Sequence, residues 1–93
     1  MGRNPKPVDP RAPSAIFAGG LRSLIATTTM NLTQVADKTH YCDSVISAAC
    51  AGWKLPTWDV TCAIVRVCGG DESEWAVLWA AERRRRARGS RRR

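Results

Sequence analysis

The sequence predicts an all-α fold, a compact five-helix domain with disordered ends. Three observations carry this. No stretch keeps a two-residue apolar alternation, so strands are not expected. Apolar residues instead recur three and four positions apart in five segments, each bounded by a Ser, Thr, Asn or Asp cap or by a glycine break. At 93 residues and 44% apolar content the chain holds one core and no second domain. Four of the five prolines fall in residues 1–13, a flexible Pro-rich arm, and residues 83–93 are the low-complexity run RRRRARGSRRR. The domain is therefore expected over residues 14–82.

The first helix is expected over 14–28, with Ser14 as its cap and Phe17, Leu21, Leu24 and Ile25 on one face. Gly19 and Gly20 inside it weaken it by about 1 kcal/mol each relative to Ala. The second is expected over 32–39, capped by Asn31, with Leu32, Val35 and Ala36 apolar. The third is expected over 43–51, with Ile46, Ala49 and Cys50 inward and Gly52 in the left-handed position after its end. The fourth follows Leu55-Pro56 with Thr57 as cap and Asp59 near the positive end of its dipole. It carries two apolar faces, Trp58, Cys62, Val65 and Cys68 on one and Val60, Ile64 and Val67 on the other, and Gly69-Gly70 ends it. The fifth starts at Asp71, a cap paired with Glu74 in a capping box. Trp75, Leu78 and Trp79 form its stripe, Glu72 and Glu82 face water, and the four arginines Arg83, Arg84, Arg85 and Arg86 continue it or trail from it.

Two short helices joined by only His40-Tyr41-Cys42, with one helix before and two after, form a helix-turn-helix arrangement. Asn31-Leu32-Thr33-Gln34-Val35-Ala36 resembles the opening of the second helix in Xre/Cro-like helix-turn-helix domains. Ala36 then stands for the small residue that lets the two helices cross closely. Gly52-Trp53-Lys54-Leu55-Pro56-Thr57-Trp58 resembles the glycine-basic-proline loop of that family. The start MGR-x-x-x-P-V-D-P, the His-Tyr turn, Leu-Pro-Thr-Trp-Asp-Val-Thr and Cys-Gly-Gly-Asp-x-x-x-Trp together resemble an actinobacterial subgroup of it, over residues 1–82.

The resemblance implies a lambda-repressor-like fold and sequence-specific binding of double-stranded DNA, with the third helix in the major groove. The base-facing residues it implies are Asp43, Ser44, Val45, Ser47 and Ala48. This helix departs from the usual readers. Residues 39–53 contain no Lys, Arg, Asn or Gln, the side chains that dominate major-groove readout. Asp43 suits a cytosine amino group, Val45 a thymine methyl, and Ser44 and Ser47 bases or phosphates. Phosphate-contacting candidates are Thr33, Lys54 and the run Arg83, Arg84, Arg85 and Arg86.

Net charge agrees with an anionic partner but is unevenly placed. Lys and Arg number 15 against 8 Asp and Glu, a net +7. The tail holds eight arginines and no acid. The arm has Arg3, Lys6 and Arg11 against Asp9. The domain has Arg22, Lys38, Lys54 and Arg66 against Asp37, Asp43, Asp59, Asp71, Glu72, Glu74 and Glu82, a net −3. A uniformly basic nucleic-acid clamp is excluded. The expected function is a small DNA-binding transcriptional regulator of the Xre type, with the arginine tail on phosphates. The alternative is a helix-turn-helix scaffold serving as a protein-interaction module, motivated by four tryptophans and an uncharged third helix. Trp58, Trp75 and Trp79 are expected in the core and Trp53 at the surface. A homodimer or a partner protein is compatible with either reading.

Enzymatic chemistry is not expected. His40 stands alone, no carboxylate pair has a suggestive spacing, and no loop cradles a phosphate. No cofactor is expected. Cys42, Cys50, Cys62 and Cys68 lie 8, 12 and 6 residues apart with no C-x-x-C pair. They read as small buried thiols in a reducing compartment, with a metal or redox role as the alternative. The polar N-terminus lacks a secretory apolar stretch, and no apolar run approaches the roughly 20 residues of a membrane span. A cytoplasmic location is expected, on the nucleoid if the chain binds DNA.

Overall fold

Five helices follow one another in a computed structural model that describes residues 8–91, with side chains through Arg88: α1 (Ala15–Ala26), α2 (Leu32–Thr39), α3 (Asp43–Ala49), α4 (Trp58–Cys68) and α5 (Glu72–Arg91). No strand occurs among the described residues, as the missing alternation requires. None of these helices is long and apolar enough to cross a membrane.

The helix ends follow local chemistry. At the start of α2, Asn31 Oδ1 accepts from the Gln34 N–H at 2.8 Å and Gln34 Oε1 accepts from the Asn31 N–H at 2.9 Å, a complete capping box. Thr57 Oγ1 accepts from the Val60 N–H to cap α4. Asp71 Oδ1 accepts from the Ser73 and Glu74 amides to cap α5. The helix α1 stops short of the expected Thr28. Thr27 and Thr28 turn their hydroxyls back to donate to the Leu24 and Ile25 carbonyls, each at 2.6 Å, and so take acceptors of the last turn. The helix α3 ends at Ala49, two residues short of expectation, and Gly52 is left-handed at φ 87°.

The helix α4 is the hub, packing on each of the other four, while α2 lies on α3 and α1 on α5. Leu21, Val35, Ile46, Ile64 and Val65 are wholly buried. They come from α1 to α4, and each stabilises the fold by about 1.5–3 kcal/mol. The expected second face of α4 is borne out at Val60 and Ile64, while Val67 stays half-buried; on the first face Val65 and Cys68 are buried and Trp58 and Cys62 half-buried. Trp75 is buried edge-on against Phe17, ring centroids 5.5 Å apart. Trp58 and Trp79 pair at 6.0 Å, and Trp79 Nε1 donates to the Pro56 carbonyl. Trp53 is 53% exposed, as expected. The glycine in α1 has a use: a Cβ at Gly20 would lie 3.2 Å from the Trp75 ring. Helix propensity is given up there so that an indole can close on α1.

Three expectations change. Ser14 occupies the N-cap position of α1 but accepts no capping bond, and its hydroxyl donates to Glu82 instead. Glu82 does not face water, because its side chain is 13% exposed. The described part of the arm, 8–13, turns onto the domain: the Ala12 N–H donates to Asp9 O, and Ala12 is buried. Residues 1–7 lie outside the described residues, as do 92 and 93. Of the two courses open to the arginines, continuation holds, since α5 runs without a break to Arg91.

Candidate nucleic-acid interface

The α2–α3 unit is built by its turn. His40 takes a left-handed conformation, φ 66°, and the Tyr41 N–H donates to the Ala36 carbonyl, closing α2. The chain then re-enters a helix after two residues. Val35 and Ala36 from α2 meet Ile46, Ala49 and Cys50 from the α3 side in one buried cluster. Ala36 is 2% exposed, so its small side chain sits where the two helices meet. That packing decides which way the rest of α3 points.

Of the residues expected to face bases, Asp43, Ser44, Ser47 and Ala48 are exposed, and Val45 is half-buried against the core. The helix brings them together as one small, polar, uncharged-to-acidic face. No side chain caps α3. Among the expected phosphate contacts, Thr33 in the first turn of α2 and Lys54 in the α3–α4 loop are both exposed.

The four arginines divide. Arg85 donates from Nε to Glu82 Oε1 at 3.0 Å and from Nη2 to Glu82 Oε2 at 2.6 Å, and Nη2 also reaches the Pro13 carbonyl. Arg86 Nη1 donates to Ser14 Oγ at 3.1 Å, and its Nη2 to the Trp53 carbonyl at 3.4 Å. The Ser14 N–H in turn donates to the Gly52 carbonyl at 2.8 Å. These contacts join the start of α1, the loop after α3 and the arginine half of α5. The Arg85 guanidinium is the main cause holding the Glu82 carboxyl below the usual carboxylate range, with Ser14 assisting against desolvation. Arg83 lies over the Trp79 ring, 5.6 Å from its centroid. Arg84 and Arg88 are exposed, with no hydrogen bond or ion pair among the described residues.

This junction was not anticipated from the sequence. Its one readable signal was the spacing of Glu82 from Arg85 and Arg86, three and four positions along a helix. Its consequence is positional. Arg86 bonds the residue next to Lys54, so the basic part of α5 is pinned beside the loop that follows α3.

The cysteines are all free. Burial pushes the Cys50 thiol up to about 11, with Arg22 opposing, and burial also raises Cys68. Cys62 Sγ donates to Glu72 Oε1, and Arg66 Nε donates to Glu72 Oε2 at 3.0 Å. No metal-binding group of His, Cys, Asp and Glu occurs among the described residues. Compared with protein-family models, curated proteins and solved structures, the chain matches none.

Proposed function

We propose that the chain is a small DNA-binding transcriptional regulator of the Xre type. In this reading it has a lambda-repressor-like helix-turn-helix domain, α3 enters the major groove, and the arginine half of α5 lies on phosphates. The observation that carries it is the α2–turn–α3 unit, with Asp43, Ser44, Ser47 and Ala48 outward beside a loop where Lys54 adjoins the residue bonded by Arg86. The exposed cations Lys54, Arg83, Arg84 and Arg88 supply sequence-independent affinity, and Ser44 and Ser47 the limited base reading. Arg85 and Arg86 hold the protein together first and meet phosphate only with what their internal bonds leave free. The setting is the cytoplasm, on the nucleoid.

The test is salt-dependent binding to random duplex, comparing the full chain with Arg83, Arg84 and Arg88 changed to Gln. Each lost phosphate contact flattens the log–log salt slope by about 0.9, so the triple variant loses up to about 3. Changing Ser44 and Ser47 to Ala relaxes specificity and leaves that slope alone. No duplex binding at low salt overturns the reading. The absence of any Lys, Arg, Asn or Gln on α3 favours one competitor, a scaffold that docks a protein through α3 and the exposed Trp53. In that case Trp53→Ala abolishes partner capture while DNA binding is nil from the start.

A further inference from the structure

The four adjacent arginines of α5 do not share a task. Arg85 and Arg86 are turned to Glu82, Ser14, Pro13 and Trp53. Arg83 and Arg84 stand away from that clamp, around a recess of about 300 Å³ lined by Trp79, Ala80, Arg83, Arg84 and Ala87. Positions 80, 83, 84 and 87 follow the helical repeat and form one stripe, with alanine at both ends and guanidinium side chains between them. Neither Arg83 nor Arg84 has a hydrogen bond or ion pair among the described residues.

The wall of the recess is fixed in advance. Trp79 Nε1 donates to the Pro56 carbonyl at 2.8 Å, and the ring leans on Trp58 with centroids 6.0 Å apart. Arg83 lies over the same indole, 5.6 Å from its centroid. The recess therefore offers a positioned aromatic ring and guanidinium, an apolar floor of two alanines, and two cations with unused donors. An inorganic anion needs no ring and no apolar floor. A ligand that uses all five residues joins a flat, weakly polar face to an anion. A nucleobase stacks on indole and guanidinium alike. A phosphate monoester brings about −1.5 to −2 charges at pH 7 to set against two arginines. Small-molecule sites run from about 300 to 1,000 Å³, so the volume suits one base with its ribose phosphate.

We propose that the recess between Trp79, Arg83, Arg84 and Ala87 binds a free nucleoside phosphate, the base against Trp79 and the Arg83 guanidinium, the phosphate on Arg83 and Arg84. The regulatory consequence rests on the DNA-binding reading above: Arg83 and Arg84 cannot hold a nucleotide and duplex phosphates together, so the nucleotide weakens duplex binding.

AMP is the probe, and isothermal titration calorimetry of the full chain at low salt reads its binding without DNA. Saturable binding at one site is expected. Ribose 5-phosphate, which lacks the base, and adenosine, which lacks the phosphate, each bind at least about tenfold more weakly. Arg84→Gln weakens AMP at least about tenfold. Ala87→Glu does the same, because a carboxylate one turn beyond Arg83 and Arg84 occupies both; position 87 is exposed, so the helical circular dichroism stays unchanged. Arg11→Gln removes one exposed cation elsewhere and leaves AMP binding as it was. No saturable AMP binding overturns the proposal. So does ribose 5-phosphate binding as tightly as AMP, or affinity that survives both Arg84→Gln and Ala87→Glu. At constant ionic strength, saturating AMP releases random duplex; AMP that fills its site with duplex affinity unchanged overturns the mutual exclusion. AMP binding by a chain that binds no duplex sinks the regulator reading and leaves the nucleotide site standing.

Discussion

Glu82 shows how much a single side chain can connect. It accepts from Ser14 on α1 and from Arg85 on its own helix, while Arg86 reaches past it to Ser14 and Trp53. Its carboxyl is held below the ordinary value of 4.5. A depressed carboxylate contributes stability that is present above the unfolded pKa and lost as pH falls through the folded one. Glu82→Gln is therefore expected to cost about 1–2 kcal/mol at neutral pH. The gap to the parent protein closes as pH drops below 4.5, read by urea unfolding at several pH values. A gap that stays constant from pH 7 to pH 3 would show that charge is not what Glu82 contributes. Thr61 is the opposite case. It is wholly buried, and its hydroxyl has no hydrogen-bond partner among the described residues. Val has the same shape without the unmet polar atom, so Thr61→Val is expected to stabilise the fold by about 1 kcal/mol, measured as a shifted unfolding midpoint with unchanged m-value. Gly52 combines a φ of 87° with atoms of Ala12 and Ser14 at 3.2 Å from where a Cβ would sit. Gly52→Ala should destabilise by about 1–3 kcal/mol in thermal unfolding.

At the level of elements, α2 and α3 are eight and seven residues long, too short to persist alone. They rely on caps and on each other. Asn31→Ala removes the acceptor for Gln34 N–H and is expected to cost about 1 kcal/mol. Because α2 positions α3, the same change should raise amide exchange across both helices, while α4 and α5 stay protected. Uniform loss of protection would mean that the pair does not behave as a local unit. Much of this level was legible. The caps at Asn31, Thr57 and Asp71, the break at Gly69-Gly70 and the turn at His40 are local chemistry, written in a few adjacent residues. The span of α1 was less legible, because the back-bonding of Thr27 and Thr28 competes with helix extension at comparable energy.

For the molecule as a whole, the arginine run is part of the fold to Arg86 at least, since two of its members tie α5 to Ser14, Pro13 and Trp53. Removing residues 83–93 is expected to lower stability by about 1–3 kcal/mol, seen as a reduced melting temperature. A purely appended tail would leave the melting temperature unchanged. For that reason the salt-slope comparison above uses substitutions at Arg83, Arg84 and Arg88. The sequence alone determined the all-α class, the five helices, the short α2–α3 turn and an outward α3 face without Lys or Arg. Each of these follows from periodicity, capping or composition within a dozen neighbouring residues. Only the tertiary structure decided that Ser14 serves Glu82 rather than its own helix, that Arg85 and Arg86 are internal clamps, and that Leu78 and Ile16 are left outside. Those outcomes depend on residues 68 and 72 positions apart in sequence being brought within 3.1 Å. Hydrogen-bonding capacity is written in each residue, but the choice between water and a distant partner is made by how the helices pack.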